Sequence, residues 1–193
     1  MARVPGYDFM VLLTYTPRAD SVARGYEDWL RRVDNPFFNA TDGVQHYSNW
    51  KIAGGAHPQM GTHFDFLGID GLGSLDEVMN GERLNGFRKE WRRLWGVDPE
   101  GTPGVNAQAY LCERIAKTPR PGWGNQALVV PESTANQRLD GFDTWRVRES
   151  LRKTTLGFPE FHVGFASDPA AFADLKRKHA ARGAVAGDLV AAP

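Results

Sequence analysis

The stretch Thr62 to Asp70, THFDFLGID, decides how this chain is read. Aromatic and branched apolar residues favour a strand, yet His63 and Asp65 occupy two of its positions. Successive side chains of a strand point to opposite faces. His63, Asp65 and Leu67 therefore share one face, and Phe64 and Phe66 share the other. The two phenylalanines are expected to pack under helices. That turns the polar face toward an interior made with a partner sheet or with the C-terminal part of the chain. Polar groups buried without partners cost about 1–3 kcal/mol each. A strand that gives two positions to an imidazole and a carboxylate is therefore expected to face a pocket.

The flanking segments supply the rest of a sheet and its helices. Residues 8–16, DFMVLLTYT, read as a strand ended by Pro17 to Asp20. In SVARGYEDWLRRV, Val22, Tyr26, Trp29, Leu30 and Val33 fall on one face of a helix that Asp20 or Ser21 can cap and that Pro36 stops. Val44 to Ile52 forms the next strand, followed by the glycine-punctuated AGGAHPQMG and then by THFDFLGI. Ser74 and Glu77 have the spacing of a capping box, and Leu84, Phe87, Trp91 and Leu94 continue a helix toward Gly96. The turn DPEGTPG leads to a fourth strand, Asn106 to Ile115. The order β-α-β-β-α-β is that of the ferredoxin-like unit, an antiparallel sheet with helices on one face whose other face must also be covered.

Residues 118–193 are expected to be a C-terminal α/β extension or a degenerate second repeat packed on the unit of residues 1–117. TPRPGWG reads as a linker, NQALVVPE as a strand, DTWRVRESLRK as a helix and FPEFHVGFA as a strand. A last helix opens at Ser167-Asp-Pro-Ala and stops at Gly183. FHVGFASDPAAFADL echoes THFDFLGID…SLDEVM, which is the basis for the repeat.

Composition narrows the function classes. The 193 residues carry 23 Lys plus Arg against 23 Asp plus Glu, a balance that argues against nucleic acid or an anionic membrane as partner. The single cysteine, Cys112, excludes an intrachain disulfide. With no leader-like segment and no long apolar run, this points to a cytoplasmic protein. The basic, aromatic RKEWRRLW at residues 88–95 reads as a helix with Trp91, Leu94 and Trp95 turned inward and Arg88, Lys89, Arg92 and Arg93 on a solvated face. No dinucleotide fingerprint, phosphate loop or nucleophile elbow is present.

Polar residues recur on the other strands. His46 and Ser48 alternate with Tyr47 and Asn49, Gln108, Tyr110 and Cys112 share a face, and Tyr15 ends the first strand. A histidine of near-neutral pKa moves protons, and a carboxylate beside it orients it and stabilises its charged form. His63 and His46 are the candidate proton carriers, with Asp65 orienting His63 from roughly 6–7 Å along the strand. Tyr15, Asn49, Trp50, Gln108 and Tyr110 are candidate substrate-binding residues, aromatic enough for an aromatic ligand. His63 and Asp65 with His162 form the alternative, a facial triad for iron.

The run Tyr26-Glu27-Asp28-Trp29-Leu30, then Asn35-Pro36-Phe37, then Gly43-Val44, resembles the dimeric α+β barrel superfamily over roughly residues 8–117. Its relatives include EthD-like and REDY-like proteins, muconolactone isomerases, small polyketide cyclases and cofactor-free monooxygenases. Many members end the first helix with a histidine. Val33-Asp34-Asn35 stands there in this chain, and the resemblance makes Asp34 the candidate substitute and a further candidate substrate-binding residue. The resemblance implies a homodimeric or tandem pseudo-dimeric α+β barrel. It implies a cofactor-independent lyase, isomerase or cyclase acting on a small aromatic or polyketide-like molecule, with no metal. The alternatives are a non-enzymatic ligand-binding module and a haem-dependent or cofactor-free oxygenase.

Overall fold

The computed structural model describes residues 6–97, 107–118, 124–134, 136–152 and 155–193. Eight strands run as β1 Phe9–Tyr15, β2 Val44–Gly54, β3 His63–Ile69, β4 Ala107–Ala116, β5 Gln126–Glu132, β6 Asp143–Ser150, β7 Glu160–Ala166 and β8 Val185–Ala191. They close into one barrel in the order β1-β3-β2-β8-β5-β7-β6-β4. Every neighbouring pair is antiparallel. The strands of one chain complete the circle, so among the described strands none is left with a free edge to pair with a second copy. The first four strands are ordered β4-β1-β3-β2 and the last four β8-β5-β7-β6, the same relative order in each half.

An eight-stranded barrel is just wide enough for its own side chains to fill it. Here the filling is aromatic: Trp50, Phe64, Phe66, Tyr110, Trp145 and Phe161 are all buried in one cluster with Met10, Leu12 and Val129. Two glycines make room. A Cβ on Gly68 would lie 2.2 Å from the Tyr7 ring, and one on Gly187 would lie 2.6 Å from the Phe64 ring. The helices pack on the outside of the barrel. Val11, Leu67, Ile69, Ala109 and Leu111 meet Phe38, Val78, Met79 and Leu84 there. This reverses the expected faces of β3. Phe64 and Phe66 fill the barrel, whereas His63, Asp65 and Leu67 point outward beneath helices. Alternation separates two faces but does not say which becomes the inside; closure of the barrel makes that choice.

The first helical segment also departs from expectation. It begins at Tyr26, after Gly25 in the left-handed conformation at φ 83°, with no side-chain cap from Asp20 or Ser21. Val22 and Val33 are 61% and 43% exposed, so they lie off the packed face. Pro36 does not stop the helix. Short helix α1, Tyr26–Trp29, passes into a π-helical turn, Leu30–Asp34, and then into α2, Asn35–Asn39. The Asn35 amide donates to Leu30 O, five residues back, which is the wider π pattern. Pro36 then sits in the first turn of α2, where its missing donor costs nothing.

Helix α3, Leu75–Asn80, lacks the expected Ser74 side-chain cap, and it breaks at Gly81 before α4, Glu82–Trp95. The segment expected as a helix, DTWRVRESLRK, is instead strand β6, paired with β4 and β7. Its Trp145 and Val147 reach the barrel core, and two strand neighbours outweigh the weak helical bias of its charged residues. Strand β8 was not anticipated. It follows α5, Pro169–His179, and bridges β2 to β5, which closes the barrel. Asn106, the DPEGTPG turn and most of the TPRPGWG linker lie outside the described residues. No helix among the described residues is long and apolar enough to cross a membrane.

Candidate active site

A cavity of about 210 Å³ lies outside the barrel, between the outer faces of β1, β3 and β4 and the helices above them. It is larger than the ~150 Å³ that holds a benzene ring. Its walls are apolar, from Leu13, Leu67, Phe38, Met79, Leu84 and Phe87. At its base two carboxyl groups meet. Asp65 comes from β3, and the π-helical turn delivers Asp34 at its last position. They are 2% and 4% exposed, so little of either side chain meets solvent.

Neutral donors surround the pair. The Tyr47 hydroxyl lies 2.7 Å from Asp65 Oδ2 and 2.9 Å from Asp34 Oδ2. Asn49 Nδ2 donates to Asp34 Oδ2 at 2.8 Å and to Asp65 Oδ1 at 3.1 Å. The Tyr15 hydroxyl donates to Asp65 Oδ1 at 3.1 Å. Asn35 Nδ2 donates to Asn49 Oδ1 at 3.1 Å and to Tyr47 O at 3.0 Å, which fixes the Asn49 amide with its N–H groups toward the carboxyls. Strand pairing explains the convergence: Asp65 is opposite Leu13 on β1 and Asn49 on β2, so Tyr15 and Tyr47 are near diagonal neighbours.

Proton counting shows what this arrangement holds. A tyrosine has one hydroxyl proton and two acceptor lone pairs. Tyr47 has one proton for two short carboxyl contacts, so both are full hydrogen bonds only when one carboxyl is protonated and donates to the Tyr47 oxygen. Burial pushes the Asp34 carboxyl up from 3.8 to about 7, against the lowering effect of its bonds from Asn49 and Tyr47. Burial, and then the Asp34 charge, hold Asp65 well above the usual carboxylate range. Two buried carboxyls this close resist ionising together. The pair therefore keeps a proton near neutral pH, and Tyr47 is a bridge over which it can pass between Asp34 and Asp65. Burial also raises Tyr15, Tyr26 and Tyr47 well above their ordinary value, so the phenols act as donors and not as phenolates.

Of the residues expected at a site, Tyr15, Asp34, Asn49 and Asp65 come together here, and Gln108 lines the same cavity. Trp50 and Tyr110 do not; both are in the barrel core. His46 and His63 do not face one substrate. His46 is opposite Gly68 and stacks near Tyr7 at 6.4 Å, whereas His63 is opposite Tyr15 and Lys51, five residues along β3 and on the other face of the sheet. Nor does Asp65 hold His63. Tyr15 stands between them, stacked on the His63 ring at 5.5 Å and bonded to Asp65. Burial and the Lys51 charge lower His63 to about 4, so its imidazole is neutral. The His63–Asp65–His162 triad is not assembled, because His162 bonds Thr144 at 3.0 Å and faces Glu132 in the second half. Among the described residues no three His, Cys, Asp or Glu side chains gather to hold a metal.

Tyr47, Asn35, Arg88, Arg92 and Arg152 belong to the cavity or its support and were not singled out from sequence. Tyr47 was discoverable as the same-face neighbour of Asn49. Arg88 and Arg92, read as a solvated face, instead turn toward the cavity from α4.

No protein-family model matches this chain, and no curated protein matches its sequence. Similar solved structures include two from bacteria. One is a "putative monooxygenase" from Lactobacillus acidophilus NCFM, 8% identical with a TM-score of 0.51, aligned over 96% of this chain and 95% of that one. The other is a "putative monooxygenase" from Fusobacterium nucleatum, 8% identical with a TM-score of 0.49, over 98% and 95%. At such identity the first likeness speaks for a shared α+β barrel fold alone.

Proposed function

We propose that this protein is an enzyme that moves protons on a small aromatic or polyketide-like molecule, as a lyase, isomerase or cyclase. The groups that do it are Asp34, Tyr47 and Asp65 with Tyr15, in place of the His46 and His63 pair first expected. One observation carries the reading: two buried carboxyls, bridged by a tyrosine hydroxyl, open onto an apolar cavity large enough for an aromatic ring. A carboxyl held near neutrality can both take and return a proton, the requirement for general acid–base work at physiological pH. The ionised member accepts a proton from an acidic C–H or O–H of the substrate. The protonated member, or Tyr15, returns one to the atom where charge develops. His63 has a positioning role, since its ring backs Tyr15.

The same strand order in each half supports reading residues 1–117 and 118–193 as two ferredoxin-like copies, a tandem pseudo-dimer. Kinship with the EthD-like and REDY-like proteins rests on the motif at Tyr26 to Val44. A second reading, oxygenation of an electron-rich phenol, draws on the name of the Lactobacillus protein.

The test uses benzoylacetone, a β-diketone with an acidic central carbon, in deuterated buffer. NMR follows exchange at that carbon. The protein should accelerate it, and Asp65→Asn should remove about 100-fold or more of the acceleration. Exchange that persists in Asp65→Asn refutes the reading. Oxygen uptake with a catechol, lost in the same variant, would favour the oxygenase. Tight binding with neither activity would make the protein a ligand-binding module.

A further inference from the structure

The open end of the same cavity has a different character from its base. Arg88 and Arg92 project from consecutive turns of α4, and Arg152 reaches the cavity from the segment after β6. That segment is tied to the barrel, as Leu151 N donates to Ala109 O on β4. Most other described arginines find carboxylates, among them Arg31, Arg93, Arg114, Arg146, Arg148, Arg177 and Arg182, and the further ones that do not, Arg32, Arg83 and Arg138, are exposed to solvent. Arg88, Arg92 and Arg152 make none among the described residues. They are half-buried, and like charges crowd one another. Burial, and then Arg152 and Arg92, bring Arg88 down to about 10, and Arg152 is lowered by burial and by Arg92. An arginine stays charged at such values. Three uncompensated cations at the rim of an apolar cavity are costly unless an anion joins them.

We propose that these three arginines bind an anionic substituent of the substrate, so that the molecule this site takes is an aromatic ring with a carboxylate or phosphate at one end. The ring lies among Phe87, Leu84 and Leu67, the anion meets the guanidinium groups, and the opposite, neutral end of the ring reaches Tyr15 and the Asp34–Asp65 pair. The negative base of the cavity and its positive rim together fix which end enters first. This rests on the reading of the cavity as a small-molecule site, but not on the reaction assigned to it.

Isothermal titration calorimetry at pH 7.5 and low salt tests it with three probes: 4-hydroxybenzoate, phenyl phosphate and the uncharged 4-hydroxybenzamide. At least one anion should bind about 10-fold or more tightly than the amide, the scale of a charge-assisted bond. Which anion is the tighter separates a carboxylate from a phosphate substrate. The double variant Arg88→Gln with Arg92→Gln, and Arg152→Gln alone, should each remove most of that preference and leave the amide within about 2-fold. Added salt should weaken the anions and spare the amide. Equal affinity for all three probes overturns the proposal. So does a preference that survives in every variant, and so does failure of any probe to bind at millimolar concentration. Should a variant not fold, the wild-type comparison and its salt dependence still decide. Anion preference with no proton exchange on benzoylacetone would sink the assigned reaction alone. Exchange that depends on Asp65, without anion preference, would sink this inference alone.

Discussion

Asp34→Asn isolates the buried proton-sharing pair by a change of one atom. Burial holds the Asp34 carboxyl at about 7 in the folded chain, against 3.8 when it is free. A raised pKa means that folding resists an ionisation the unfolded chain permits. The contribution of this group to stability is complete below about pH 4 and is lost as pH rises to about 7. At about 1.4 kcal/mol per unit, the wild-type chain loses about 3 kcal/mol through this group between about pH 5 and about pH 9. Asparagine does not titrate. Its oxygen can keep the bonds from Asn49 and Tyr47 that Asp34 Oδ2 now accepts. Its amide takes the place of the other oxygen at a cost of about 1–3 kcal/mol, the same at every pH. Loss of the Asp34 charge also lets Asp65 ionise more readily, which adds to the difference in the same direction. The variant should therefore lie within about 1–2 kcal/mol of wild type at about pH 5 and should gain about 3 kcal/mol or more on it by about pH 9. Urea unfolding followed by tryptophan fluorescence at several pH values measures both curves. Curves that stay parallel within about 0.5 kcal/mol would refute the shared proton.

Other outcomes follow from the same contacts. The exchange rate on benzoylacetone should rise through about pH 7, because the accepting carboxyl must be ionised; a flat profile would argue against Asp34 as part of the base. Tyr47→Phe removes a bond that lowers Asp34, so that midpoint should move to higher pH, with a stability loss of about 1–3 kcal/mol in urea. His46→Ala should leave the exchange rate within about 3-fold, since the side chain is on the face of the sheet away from the cavity; a loss of the size expected for Asp65→Asn would return His46 to the mechanism. Gly68→Ala puts a methyl group 2.2 Å from the Tyr7 ring and should cost about 1–3 kcal/mol, seen as a lower Tm.

Local chemistry made much of this protein legible in its sequence. Runs of apolar and β-branched residues placed β1, β2, β3, β5 and β7, and spacing placed α4 and α5, because these signals need only near neighbours. The polar positions on β3 announced a site for the same reason, and Tyr15, Asp34, Asn49 and Asp65 were all read as members of it. What distant neighbours decide was not legible. β6 and β8 are strands because each lies between two others, a property of barrel closure and not of eight or fewer residues. The identity of the inner face was open for the same reason, since period-two alternation is symmetric between faces. Closure sent Phe64 and Phe66 inward and Asp65 outward, and with that it removed His46 from the cavity. The π-helical turn that carries Asp34 to Asp65 depends on packing across the sheet. The pairing of two carboxyls, 31 positions apart in the chain, and the pKa values that follow from their shared burial exist only in the folded protein.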